Sequence, residues 1–201
     1  MKLITLLMKY FKYLINYILS ILYDIYHFLF GNLKIRIKNL EYYKKSKLYP
    51  DYLKHGNMSR VVKSLAEKYC HGDGVDVGAS NWPIDIGARI IENKKEENAY
   101  KIKEKDNSLD FVFSSHCLEH LDEWDVALKE WYRVLKKEGV IFLYLPHSIC
   151  EMWLPKINKY HKWSPDPKII SEFLENKLNM EIKEITYLPD AFMSFVIVAQ
   201  K

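Results

Sequence analysis

The stretch "GVDVGASNWP", residues 74–83, decides the fold. Apolar residues around one acid, Asp76, read as a short buried strand, and Gly78 then makes the tight turn that follows it. A dinucleotide-binding turn wants three glycines, because a pyrophosphate must come close to the backbone and to the next helix N-terminus. Here Ser80, Asn81 and Trp82 stand beyond Gly78 and Ala79 instead. A ligand without a phosphate asks less: room beside Gly78, and an acceptor such as Asp76 for an ammonium group or the water around it.

Working outward, Val61, Val62, Leu65 and Tyr69 mark one helix face before the strand, with Gly72 placed to end it. Short apolar runs recur at residues 88–91, 109–114, 140–145, 181–188 and 194–199, and helical patterns occupy residues 123–136 and 167–178. Asp122 and Asp166 are suitable N-caps, and Pro167 suits a first turn. Strands alternating with helices predict an α/β fold, a mostly parallel sheet with helices on both faces. Ligands of such sheets bind at the strand C-terminal ends. The altered turn favours S-adenosyl-L-methionine there.

The segments "GDGVDVGASNWP", "GARIIE", "NAYKIKEKDNSLDFVFSSHCLEHL", "EWYRVLKKEGVIFLYLPH" and "SFVIVAQK", in that order, resemble a class I S-adenosylmethionine-dependent methyltransferase of the type-eleven group. The likeness is to small enzymes of bacterial capsule and lipopolysaccharide gene clusters, and covers roughly residues 50–201. It implies a Rossmann-like, seven-stranded sheet with its last strand antiparallel, and a cofactor lying across the first strand ends. By this resemblance the cofactor meets Asp76, Gly78, Ala79, Ser80, Ser114 and Ser115. Glu92 would accept both ribose hydroxyls, and Asn98 with Ala99 would read the adenine edge. Asn98 and Ser80 depart from the family pattern, which has an acid and a glycine there.

Charge is distributed unevenly. Residues 1–50 carry +7 of a chain whose net charge is +4, which leaves −3 for the rest. The first 48 residues thus read as a basic extension and residues 49–201 as the methyltransferase domain. Within residues 1–30, Lys2, Thr5, Lys9, Lys12, Asn16, Ser20, Asp24 and His27 recur every three or four positions, a polar stripe on an otherwise apolar helix. Such a helix lies in a membrane interface or packs on protein. Lys9, Lys12 and Asp24 argue against a signal peptide and a spanning segment. The expected location is cytoplasmic, peripheral on the inner membrane face. Cys70, Cys117 and Cys150 have no disulfide or zinc spacing, and no metal ligands are expected.

Methyl transfer from a sulfonium is an in-line displacement, so catalysis consists of positioning the acceptor and removing its proton. A neutral histidine suits that proton. His116 follows the fourth strand, His147 the fifth, and His161 lies in the loop beyond. His147 is the expected general base, with His116 second. His120 and Glu119 are expected to orient the loop. In "PHSICEMWLPKINKYHKWSPDP", Trp153, Tyr160 and Trp163 suit stacking on a sugar or nucleotide-sugar acceptor, with Trp82 as the opposite wall. Each of these residues also has an ordinary packing role open to it. No Asn-Pro-Pro-aromatic turn follows the fourth strand and the core lacks a basic stripe, which argues against a nucleic-acid substrate. A non-catalytic, membrane-tethered scaffold is the competing reading.

Overall fold

The computed structural model describes residues 59–80, 82–150, 153–190 and 192–201, together with the isolated helical position 18. The chain divides into two compact units, Met1–Arg36 and Ile37–Lys201. The expected extension over residues 1–48 lies outside the described residues, position 18 excepted, as does Asn81. Among the described residues no helix is long and apolar enough to cross a membrane.

Six strands form one sheet: β1 (Gly74–Val77), β2 (Arg89–Ile91), β3 (Leu109–Ser115), β4 (Leu135–Pro146), β5 (Glu181–Ile185) and β6 (Ser194–Gln200). Their spatial order is β2-β1-β3-β4-β6-β5. The first four run parallel, and β6 pairs antiparallel with both β4 and β5. The chain leaves β1 first to β2 on one side and then to β3 on the other. That reversal opens a crevice at the C-terminal ends of β1 and β3, where open α/β sheets take ligands.

Helix α1 (Lys63–Tyr69) covers one sheet face, and α2 (Trp124–Val134) and α3 (Pro167–Leu178) cover the other. Alternation along β3 divides the core: Val112 joins the cluster of Trp131, Leu128 and Leu174, while Phe111 and Phe113 meet Phe142 and Ala66 on the α1 face. Asp166 caps α3 as expected, accepting hydrogen bonds from the Lys168 and Ile169 amides. Asp122 does not cap α2; Glu123 holds that position without a side-chain bond. Gly72 has φ +87, and a Cβ there would crowd the Asp110 carboxylate, so it turns the chain between α1 and β1.

The seventh strand of the expected sheet is absent among the described residues. Residues 92–108 lie between β2 and β3, where only an isolated bridge joins Asn98 to Lys101. The reason lies in α2. Ile102 donates its N–H to Glu130 Oε1 at 2.7 Å, and its carbonyl accepts from Arg133 at 2.9 Å. Backbone groups satisfied by side chains have none left for a ladder.

Candidate active site

β1 ends at Val77, and Gly78 turns at φ +83 with its N–H bonded to the Ile91 carbonyl at 3.0 Å. A Cβ on Gly78 would overlap the Cys117 side chain, so this residue lets the turn after β1 and the turn after β3 approach each other. A cavity of about 320 Å³ opens beside them, lined by Gly78, Ile91, Glu92, Asn98, Ala99, Tyr100, Cys117 and His120 among others. Its size is that of a small-molecule site. Gly78, Glu92, Asn98 and Ala99 of the expected cofactor residues therefore come together.

Their geometry differs in detail. Glu92 is exposed and pairs with Lys94 at 2.9 Å, leaving its carboxylate at the cavity rim. Asn98 spends its carboxamide on its own loop: Oδ1 accepts from the Tyr100 amide and Nδ2 donates to the Lys94 carbonyl. Oδ1 keeps a second lone pair and Nδ2 a second N–H, which the adenine-reading role would use. The Ala99 carbonyl accepts from Trp131 Nε1 at 2.8 Å, which fixes the loop to α2.

Asp76, Ala79, Ser80, Ser114 and Ser115 stand outside the cavity lining. Asp76 is buried behind the turn; Oδ2 accepts from the Ile84 amide at 2.8 Å, and Oδ1 has no partner. Burial pushes its pKa up to about 7. Ser80 is exposed with φ 51, a left-handed conformation that costs a serine about 1 kcal/mol. Ser114 Oγ donates to the Val77 carbonyl at 3.0 Å and ties β3 to β1. Ser115 Oγ is buried without a partner.

The histidines divide sharply. His147 is fully buried; its Nε2 bonds the Tyr187 carbonyl at 2.9 Å, and its Nδ1 accepts from the Ile149 amide at 3.2 Å. With both nitrogens engaged and no exposure, His147 holds loops together and is not placed as a general base. His116 and His161 meet elsewhere, with His120, around the Glu119 carboxylate. His116 Nδ1, His120 Nε2 and His161 Nε2 lie 3.5, 3.7 and 3.8 Å from Glu119 Oε1. Glu119 is 0% exposed and neither oxygen has a hydrogen-bond partner. Burial raises its pKa to about 8, and burial together with the neighbouring histidines lowers His116 to about 3. His161 is lowered to about 4, by burial first.

Sequence reasoning gave Glu119 and His120 a supporting role and missed their convergence. The signal was present in "HCLEH", where His116, Glu119 and His120 fall at i, i+3 and i+4. A 3-10 turn, Leu118–His120, presents them. The partner His161 comes from the loop before α3. That loop docks through the Lys162 amide on the Glu119 carbonyl at 2.8 Å and Trp163 Nε1 on the Leu118 carbonyl at 2.9 Å.

Two of the expected acceptor platforms serve packing. Trp153 is buried, bonds the Met193 carbonyl through Nε1 at 2.9 Å and stacks on His161. Trp163 stacks on Trp124 with ring centroids 4.9 Å apart. Tyr160, 66% exposed, and Trp82, 42% exposed, keep open faces.

Residues 57–143 match the family model described as "Methyltransferase domain". This likeness to a methyltransferase domain covers somewhat less than half of the chain. Among curated relatives, the demethylmenaquinone methyltransferase of Streptomyces griseus is 26% identical over 128 residues, 59% of this chain and 50% of that protein. A ubiquinone/menaquinone biosynthesis C-methyltransferase of Rhizobium rhizogenes is 27% identical over 118 residues, 54% of this chain and 44% of that one. The chain spans half or less of the length of these relatives. Among solved structures, a SAM-dependent methyltransferase from Archaeoglobus fulgidus superposes with a TM-score of 0.51 at 16% identity, covering 74% of this chain and 96% of that one. A Pyrococcus horikoshii protein gives 0.53 at 14% identity over 81% and 99%. At such identities the structural likeness speaks for the Rossmann-like methyltransferase fold.

Proposed function

We propose that this methyltransferase moves the methyl group of S-adenosyl-L-methionine to a hydroxyl of a small acceptor, a sugar or nucleotide sugar used in surface polysaccharide synthesis. The observation that carries the reading is the cavity at the switch point, which joins Gly78 and Glu92 to His120. In this reading Glu92 accepts the ribose hydroxyls, Gly78 leaves room for the methionyl chain, and the unpartnered Asp76 Oδ1 favours its ammonium group. The acceptor enters past Tyr160 and Trp82, whose exposed rings suit the apolar face of a sugar. Its proton is lost to water at the cavity mouth, beside the Glu119 and histidine cluster. Displacement at the methyl carbon forms the acceptor O–CH₃ bond as the S–CH₃ bond breaks, leaving S-adenosylhomocysteine.

A membrane-borne acceptor is the second reading. It is favoured by the broad apolar face read in residues 1–30 and by relatives named for quinone synthesis. Calorimetric titration with S-adenosyl-L-methionine, followed by methyl-transfer assays on nucleotide sugars and on quinols, separates the two. Absence of cofactor binding at millimolar concentration overturns both and leaves the scaffold reading. Mass spectrometry of surface glycans from a deletion strain, seeking the loss of one methyl group, tests the pathway.

A further inference from the structure

The three histidines around Glu119 are arranged in a way that hydrogen bonding within the protein does not account for. His120 Nδ1 bonds the Tyr160 carbonyl at 2.9 Å, and His161 Nδ1 bonds the Trp153 carbonyl at 2.7 Å. A carbonyl oxygen only accepts, so each Nδ1 carries the proton and each Nε2 presents a lone pair. Ser194 Oγ donates to the Phe192 carbonyl, so it accepts from His116 Nε2 at 2.9 Å, and His116 Nδ1 also presents a lone pair. All three lone pairs face Glu119 Oε1. A fully buried carboxyl ringed by acceptors needs a proton or a cation among them, and the nitrogens stand 3.5, 3.7 and 3.8 Å from Oε1, longer than the reach of a normal hydrogen bond, which leaves room for a cation.

We infer that Glu119, His120 and His161 hold a divalent cation of the zinc type, with His116 Nδ1 as the nearest fourth donor. The ligand atoms of the first three lie within 4.8 Å of one another. Metal bonds of about 2.0–2.2 Å in a tetrahedral shell put neighbouring ligand atoms about 3.3–3.6 Å apart. The measured separations of 3.5, 3.7 and 3.8 Å from Glu119 Oε1 are close to those edges. Three imidazoles and one carboxylate form a ligand set suited to zinc. The carbonyls of Tyr160 and Trp153 supply the outer hydrogen bonds that fix ligand tautomers in such sites.

The ion's place in the fold defines its effect. His116, Glu119 and His120 come from the turn after β3, and His161 from the loop before α3. The cation therefore staples these two loops beside the cavity to which His120 contributes. This inference rests on the cluster itself and not on the identity of the acceptor.

The test uses the full-length protein, stripped with chelator and dialysed, then titrated with zinc and separately with cobalt(II). One equivalent should bind, the cobalt form should show the visible absorption of a tetrahedral site, and the thermal unfolding temperature should rise with metal. Glu119→Gln keeps the side-chain shape and should weaken zinc binding by at least tenfold. His120→Ala, at the exposed ligand, should do the same, which guards against a Glu119 variant that fails to fold. No saturable uptake by the folded wild type, or equal uptake by both variants, overturns the site. Binding of S-adenosyl-L-methionine to the stripped protein is read in parallel, so that loss of the cofactor reading and loss of the metal site remain separate results.

Discussion

His147 and Tyr187 lock the two loops beyond β4 and β5 together: Nε2 of a fully buried imidazole bonds the Tyr187 carbonyl at 2.9 Å, while Nδ1 accepts the Ile149 amide. A ring held from both sides stabilises the fold and has no nitrogen left to take a substrate proton. Replacing His147 by Gln should thus lower stability by about 1–3 kcal/mol, the cost of disturbing buried hydrogen bonds. Cofactor affinity should stay within a few-fold of wild type. Thermal unfolding and calorimetry check this, and a catalytic loss of a hundredfold or more in a protein of unchanged stability would restore the histidine as a base.

Gly78 tests the cavity. With φ +83 and the Cys117 side chain against its Cα, Gly78→Ala meets both a backbone penalty and a clash. Binding of S-adenosyl-L-methionine should weaken by at least about tenfold, and stability should fall by about 1 kcal/mol or more. Adding Cys117→Gly, which removes both the Sγ and the Cβ that the new carbon would meet, should relieve the clash but not the backbone strain. Partial recovery in calorimetry is the expected outcome.

Glu92 is exposed beside Lys94, so its removal should leave the fold intact. Charge-assisted bonds to a ribose contribute about 1.5–3 kcal/mol. Glu92→Gln should therefore raise the dissociation constant of the cofactor roughly tenfold or more, with an unchanged unfolding temperature. An unchanged dissociation constant would remove Glu92 from the cofactor site.

Asp76 should make stability depend on pH. Its folded pKa is raised to about 7 from 3.8, so the native state holds the proton where the unfolded chain has lost it. Stability from this group is fully present below the unfolded value and is lost as pH rises towards 7. Asp76→Asn should flatten that slope over pH 4–7 in denaturant titrations of the cofactor-free protein. In the proposed reading the cofactor's ammonium group favours the ionised carboxylate, so wild-type affinity should rise between pH 6 and 8, and the variant should lack that rise.

Much of the fold was legible residue by residue. The apolar runs at residues 74–77, 109–114, 140–145 and 194–199 became β1, β3, β4 and β6 because buried strands need little beyond continuous apolar residues between turns. The Asp166 cap was likewise a local matter. The expected Asp122 cap failed because the helix starts one residue later, with Glu123 at the cap position; at the missing seventh strand, Glu130 and Arg133 bond both backbone polar atoms of Ile102. Of the site, Gly78 and Glu92 were legible through the turn they flank. The roles of Trp153 and Trp163 were not, since a tryptophan in a loop reads the same whether its ring is stacked in the core or open to a ligand.

By itself the sequence determined the parallel α/β order, the glycine turn after β1 and the acid after β2, since these depend on periodicity and on residues close in the chain. The tertiary structure alone decided which histidines share an environment. An imidazole's chemistry follows from what binds each nitrogen, and for His120 and His147 those partners, Tyr160 and Tyr187, each stand 40 residues away. The burial of Glu119 among three such rings likewise arises only when the loop before α3 closes on the turn after β3.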